Sequence, residues 1–171
     1  MLRTPLNLSY IKRTIRPIYA FTQATPKAAF VDPAWDKSVD IYPGMCLMKT
    51  SGDNVTLING TGTPYGLSAF YMAPVLGIDE ITEQGVNAAA VWVLSADAEF
   101  EVLAPAFDTT VSWTDPGDGT VVLVGAYTSG AKRGQLCPMG TAGATAYPVA
   151  RLLQVVSSTK IRVGGLRGAN A

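Results

Sequence analysis

From Pro43 onward the chain is cut into short apolar runs by Gly, Pro, Asn and Asp, and none carries the period of a long amphipathic helix. That punctuation restricts the fold to short strands joined by tight turns. Met45–Thr50 and Val55–Ile58 flank Ser51-Gly52-Asp53-Asn54, a hairpin signal. Tyr65–Tyr71 is a further strand, set off by Gly60-Thr61-Gly62-Thr63-Pro64. Pro74–Val86 lacks alternation and reads as a loop with a helical turn. Ala89–Leu94 and Ala98–Leu103 read as a strand pair joined through Ser95-Ala96-Asp97. Thr109–Trp113 and Val121–Tyr127 flank the turn Asp115-Pro116-Gly117-Asp118-Gly119, and Val149–Val156 and Lys160–Val163 form a last hairpin around Ser157-Ser158-Thr159. The predicted fold is mainly β: a compact antiparallel β-sandwich or barrel-like domain with an extended N-terminal arm.

Residues 1–43 read as that arm, 44–164 as the β-domain and 165–171 as a C-terminal tail. Pro5, Pro17, Pro26, Pro33 and Pro43 recur too often for a regular element, because each fixes φ and removes a donor. Asn7 caps a helical turn through Leu8–Ile15 that Pro17 stops. Apolar side chains lie between the prolines, so the segment must bury them on its own domain or along a partner.

Charge is segregated in a way the neutral total conceals. Every acid lies between Asp32 and Asp118. Five basic residues precede that region (Arg3, Lys12, Arg13, Arg16, Lys27), and six follow it (Lys132, Arg133, Arg151, Lys160, Arg162, Arg167). The middle sets 13 acids against Lys37 and Lys49, so the chain runs +5, −11, +6. Its ends can pair with its own middle, with the middle of a second copy, or with another acidic surface.

The residue types constrain the chemistry. With no histidine in the chain, the commonest general base and transition-metal ligand are missing. Cys46 and Cys137 form no CxxC pair and read as two buried, reduced thiols. Gly60-Thr61-Gly62-Thr63-Pro64-Tyr65-Gly66 invites a phosphate-loop reading, but no helix N-terminus follows to meet a phosphate. Asp108, Asp115 and Asp118 could offer oxygens to Ca²⁺, yet turn chemistry accounts for the pattern without an ion. No cofactor and no metal is expected. The cations are spread along both ends rather than clustered with stacking aromatics, so direct nucleic-acid binding is not expected either. No apolar run is long enough for a membrane-spanning helix.

Asp97, Glu99 and Glu101 lie at i, i+2 and i+4 and share one face of a strand, opposite Ala98, Phe100 and Val102. A catalytic carboxyl would need an apolar pocket to raise its pKa, and nothing apolar interleaves on that face of the strand. The functional version of such a strip is a docking surface for the basic ends of another chain. Exposed ion pairs contribute only about 0–1 kcal/mol each, so charge would orient a partner while apolar burial holds it.

Two stretches resemble small head proteins of tailed phages: Pro43-Gly44-Met45-Cys46-Leu47 with Val55-Thr56-Leu57-Ile58-Asn59-Gly60-Thr61-Gly62-Thr63-Pro64-Tyr65-Gly66-Leu67, and Ala90-Val91-Trp92-Val93 with Glu99-Phe100-Glu101-Val102-Leu103. The similarity is to capsid decoration, or cement, proteins and covers roughly residues 40–164. It implies a structural virion protein, not an enzyme, made in the host cytoplasm. Such a protein binds the outer surface of an icosahedral capsid and bridges major capsid protein subunits, with self-association as trimers or dimers. On residue type, Tyr10, Ile11, Arg13, Arg16, Tyr19 and Phe21 are the expected capsid or neighbour contacts, and Asp97, Glu99 and Glu101 the acidic docking strip. The alternatives are a head-fibre or tail-associated β-protein and, from another class, a small carboxylate-dependent hydrolase.

Overall fold

The computed structural model describes residues 14–19, 26–32, 34–35, 39–69, 71, 88–94, 98–117 and 120–166. Within them the chain is all β, in two sheets. Six strands form an antiparallel sheet in the spatial order β1 (Ile15–Tyr19), β7 (Glu99–Leu103), β11 (Lys160–Gly164), β10 (Ala150–Ser157), β8 (Val122–Ala126) and β9 (Leu136–Pro138). Five more close a barrel in the order β2 (Lys27–Val31), β4 (Asn54–Leu57), β3 (Cys46–Lys49), β5 (Pro64–Ser68) and β6 (Ala88–Trp92). β2 completes the ring, pairing parallel to β4 and antiparallel to β6. The predicted hairpins β3–β4 and β10–β11 are both present.

One core runs through barrel and sheet. Along β3, Cys46, Leu47 and Met48 are buried in succession, as are Val55, Thr56 and Leu57 along β4. Strands covered on both faces read as continuous apolar runs rather than alternating ones, which is the pattern of Met-Cys-Leu-Met in the sequence. β7 does alternate: Phe100 and Val102 are fully buried on the core side, with Glu99 and Glu101 on the other.

Two pairings depart from expectation. β6 and β7 are not partners, because β7 has both edges taken by β1 and β11 while β6 is held between β2 and β5. They meet instead through side chains, Trp92 packing on Phe100 with ring centroids 5.4 Å apart. Thr109–Trp113 is not a strand. Asp108 accepts hydrogen bonds from the Thr110 amide (2.9 Å) and hydroxyl (2.7 Å), and Trp113 Nε1 donates to the Asp108 carbonyl (2.7 Å). Such local bonds compete with a strand ladder and win here.

Two stretches of residues 1–43 are strands of this same fold. β1 lies at the edge of the six-stranded sheet, and β2 is an integral stave of the barrel. Pro17 fits within β1 because of the register. Leu103 N donates to the Thr14 carbonyl at 2.8 Å, so Thr14 and Arg16 lie on the bonded side and Pro17 faces the free edge. The Thr14 hydroxyl, also buried, donates to the Pro43 carbonyl and ties the strand to the first turn of the following segment. The turn read at Leu8–Ile15 lies outside the described residues, except that Ile15 begins β1. Pro74–Val86 lies outside them altogether.

Gly134 marks where sheet and barrel touch. It has φ +86°, and a Cβ built there would sit 2.4 Å from Leu57 Cδ2. Its carbonyl accepts from the Cys46 amide at 2.8 Å, and the neighbouring Arg133 guanidinium donates to the Leu57 and Ile58 carbonyls at 2.8 Å each. Gly134→Ala therefore combines a left-handed backbone with an overpacked contact and is expected to cost about 2–3 kcal/mol. Urea unfolding would measure it, and a loss below about 0.5 kcal/mol would show that the junction adapts.

Candidate functional site

Two acids are buried among the described residues, Glu101 and Asp108; Glu101 gathers three cations and Asp108 one, from distant parts of the chain. A buried carboxylate survives only where donors compensate its lost hydration.

Glu101 sits mid-strand in β7, between the two strands that carry the basic ends. In register, Arg16 of β1 and Arg162 of β11 lie directly opposite it on either side. Arg16 Nη2 reaches Glu101 Oε1 at 3.0 Å, Lys160 Nζ reaches the same oxygen at 3.2 Å, and Arg162 Nε lies 4.0 Å from Oε2. The plus–minus–plus order along the chain becomes a plus–minus–plus row across three strands. Glu99 shares the face and is half-buried, while Asp97 lies outside the described residues. The basic ends thus meet Glu101, the last member of the strip, within one chain, and Glu101 is not a free surface carboxylate. Arg16, expected as a contact residue, is one arm of this row. Of Tyr19 only the backbone is described, opposite Glu99. Tyr10, Ile11, Arg13 and Phe21 lie outside the described residues.

Asp108 is held by four donors. Lys132 Nζ and the Tyr127 hydroxyl each reach Oδ2 at 2.7 Å, and Thr110 supplies its amide and hydroxyl to Oδ1. Burial by itself would raise the carboxyl's pKa. The bonds from Lys132, Tyr127 and Thr110 outweigh burial and hold it well below the ordinary carboxylate range. Burial and the bond to Asp108 push the Tyr127 phenol up to about 12. Of the three acids considered for Ca²⁺, Asp108 is engaged by the Lys132 ammonium group and Asp118 lies outside the described residues. Asp115 is used elsewhere, accepting from the Val155 amide at 2.6 Å. Nothing in the sequence linked Asp108 to Lys132, 24 residues away; only the Asp-Thr-Thr turn signature was visible.

The glycine-rich segment resolves in the same structural way. Asn59 Oδ1 accepts from the Thr61 amide and hydroxyl and from the Gly62 amide at 2.8–3.0 Å, which closes the β4–β5 connection on itself. Cys46 and Cys137 are buried free thiols, as expected. Burial raises both pKa values, that of Cys137 to about 11, so neither is a ready thiolate at neutral pH. Asp40 accepts from the hydroxyls of Tyr42 (3.3 Å) and Tyr71 (3.2 Å), whose rings stand 5.1 Å apart.

The described polar clusters therefore tie strands to one another, and their carboxylates are filled by the chain's own donors. Against that background, a family model described as phage cement protein matches residues 1–171. The chain belongs to the phage cement protein family. Membership extends the likeness read from residues 40–164 to the whole chain and places both β1 and β2 inside the family's span. The family is structural, and its role is to stabilise the phage capsid. No curated protein and no solved structure matches the chain.

Proposed function

We propose that this cement protein binds the outer surface of an icosahedral phage shell and holds neighbouring major capsid protein subunits together, associating with further copies as trimers or dimers. The carrying observation is the chain-long family match, on a fold whose buried acids serve cohesion. A two-sheet body with one continuous core is a rigid spacer, and a rigid clamp touching two subunits gains from effective concentration even when each contact is weak. Tyr10, Ile11, Arg13 and Phe21 are proposed as shell contacts of the N-terminal segment, with their aromatic members as anchors.

The test uses expanded shells of the parent phage lacking this protein. Added wild-type protein is expected to bind saturably and to raise the temperature at which the shells rupture. No binding, or binding with no change in rupture temperature, overturns the reading. Deleting residues 1–13, which leaves β1 intact, is expected to keep the thermal melt and weaken shell binding about tenfold or more. Unchanged binding removes that segment from the interface.

A further inference from the structure

The side of the six-stranded sheet that faces away from the core carries several cross-strand rows, of which two adjacent ones matter here. Leu123, Arg151, Gly164 and Glu99 form one, on β8, β10, β11 and β7. Gln154, Arg162, Glu101 and Arg16 form the next, on β10, β11, β7 and β1. Residues between these rows, such as Leu152, Val163 and Phe100, point into the core. The second row closes electrostatically on Glu101. The first does not.

Arg151 is half-buried and makes no ion pair or hydrogen bond among the described residues; its Nε is buried without an acceptor. Glu99 is in the same row but two strands away, about 10 Å at ordinary strand spacing. Gly164 lies between them, and the missing side chain leaves room for Arg151 and Leu153 to lie over the sheet: a Cβ there would meet Leu153 at 3.1 Å and Arg151 Nε at 3.2 Å. Beside Arg151 is an open depression of about 260 Å³ bounded by Pro116, Gly117, Thr120, Val121 and Leu153. Val121 on its rim is 71% exposed, and Leu123, directly opposite Arg151 on β8, is 38% exposed. Among the outward residues of these strands, Arg16, Arg151, Lys160 and Arg162 stand against Glu99 and Glu101, so cations outnumber acids there.

We infer that this face is the surface that meets the shell, and that the depression receives an acidic side chain of a capsid subunit, its carboxylate paired with Arg151 and its apolar neighbours covering Val121 and Leu123. The inference rests on the proposed function and deepens it. A guanidinium whose Nε is buried with no acceptor among the described residues weakens the free protein, and a carboxylate arriving from outside reduces that penalty. The arrangement of an arginine beside exposed aliphatic side chains is that of an interface centre rather than of a solvated sheet. A phosphate backbone is the poorer fit, because Glu99 and the Glu101 row share the face and the whole chain carries no net charge.

The experiment measures binding of full-length variants to the same decoration-free shells at low and moderate salt, beside their thermal melts. Arg151→Glu and the pair Val121→Asp with Leu123→Asp are expected to weaken binding at least thirtyfold. Arg151→Leu is the decisive variant: its melt should equal or exceed that of wild type, while its binding falls at least tenfold. Lys49→Glu, on the barrel, is expected to bind as wild type does. If wild type binds and the Arg151 and Val121/Leu123 variants bind equally well, the face is wrongly assigned and the proposed function stands. If wild type does not bind, both fall. An Arg151-dependent dimer in sedimentation without shells, or Arg151-dependent binding to duplex DNA, also overturns the assignment.

Discussion

Replacing Asp108 with asparagine is expected to lower the unfolding free energy by about 3 kcal/mol, which for a chain of this size is a fall in melting temperature of about 10 °C. All four groups around the carboxylate are donors: Lys132 Nζ and the Tyr127 hydroxyl on one oxygen, the Thr110 amide and hydroxyl on the other. An asparagine must turn its NH₂ toward one of those pairs, setting donor against donor in a buried place. The substitution also leaves the Lys132 ammonium without its counter-charge. The pH dependence carries the same signature. The Asp108 carboxyl titrates below its ordinary value of 3.8 when folded, so in acid the unfolded chain binds the proton more readily. Its contribution is therefore complete above that value and is lost as pH falls below about 4. Tyr127 acts at the other end: its folded pKa of about 12 lies above the ordinary 10.0, so its contribution is complete below pH 10 and is lost as pH rises toward 12. Urea titrations from pH 2 to 11 should show wild-type stability falling at both limits, with a shallower acid limb in Asp108→Asn. An Asp108→Asn protein that melts within 2 °C of wild type would sink this account.

Glu101→Ala is the second large effect. Removing one partner of a fully buried ion pair costs about 3–5 kcal/mol. The Glu101 side chain is only 6% exposed, but its three cations keep 66% (Arg16), 33% (Lys160) and 41% (Arg162) of their surface in water and can rehydrate. The expected loss is therefore lower, about 2–3 kcal/mol. Arg16→Ala, which removes a well-exposed partner, should cost less than about 1 kcal/mol. That asymmetry distinguishes a carboxylate organising its neighbours from an ordinary surface pair. Equal losses from the two substitutions, measured by denaturant unfolding, would contradict it.

Most of the strand content from Met45 to Val163 was legible because turn residues and period-2 or continuous apolar patterns act over a few residues. Partnership was less legible. Ala89–Leu94 and Ala98–Leu103 looked like a pair, yet they lie in different sheets, since which edges are free depends on β1, β2, β5 and β11. β1 and β2 were hidden by prolines that reasoning from propensity treats as breakers. Pro17 is harmless only because its nitrogen faces an open edge, a fact of register. Among site residues, the common face of Glu99 and Glu101 followed from alternation alone. The cations that meet Glu101, the Lys132–Asp108 contact and the isolation of Arg151 all depended on pairings across 22 to 85 residues or on neighbouring strands.

By its residues alone the chain was committed to β structure, to chemistry without imidazole, and to basic ends that must find acidic partners. The tertiary structure decided which partners. Coulomb attraction between exposed charges is weak and undirected in water, so it cannot choose among candidates; strand pairing brings Arg16 and Arg162 to either side of Glu101, where burial makes the contact count. The same pairing leaves Arg151 facing outward without a partner among the described residues.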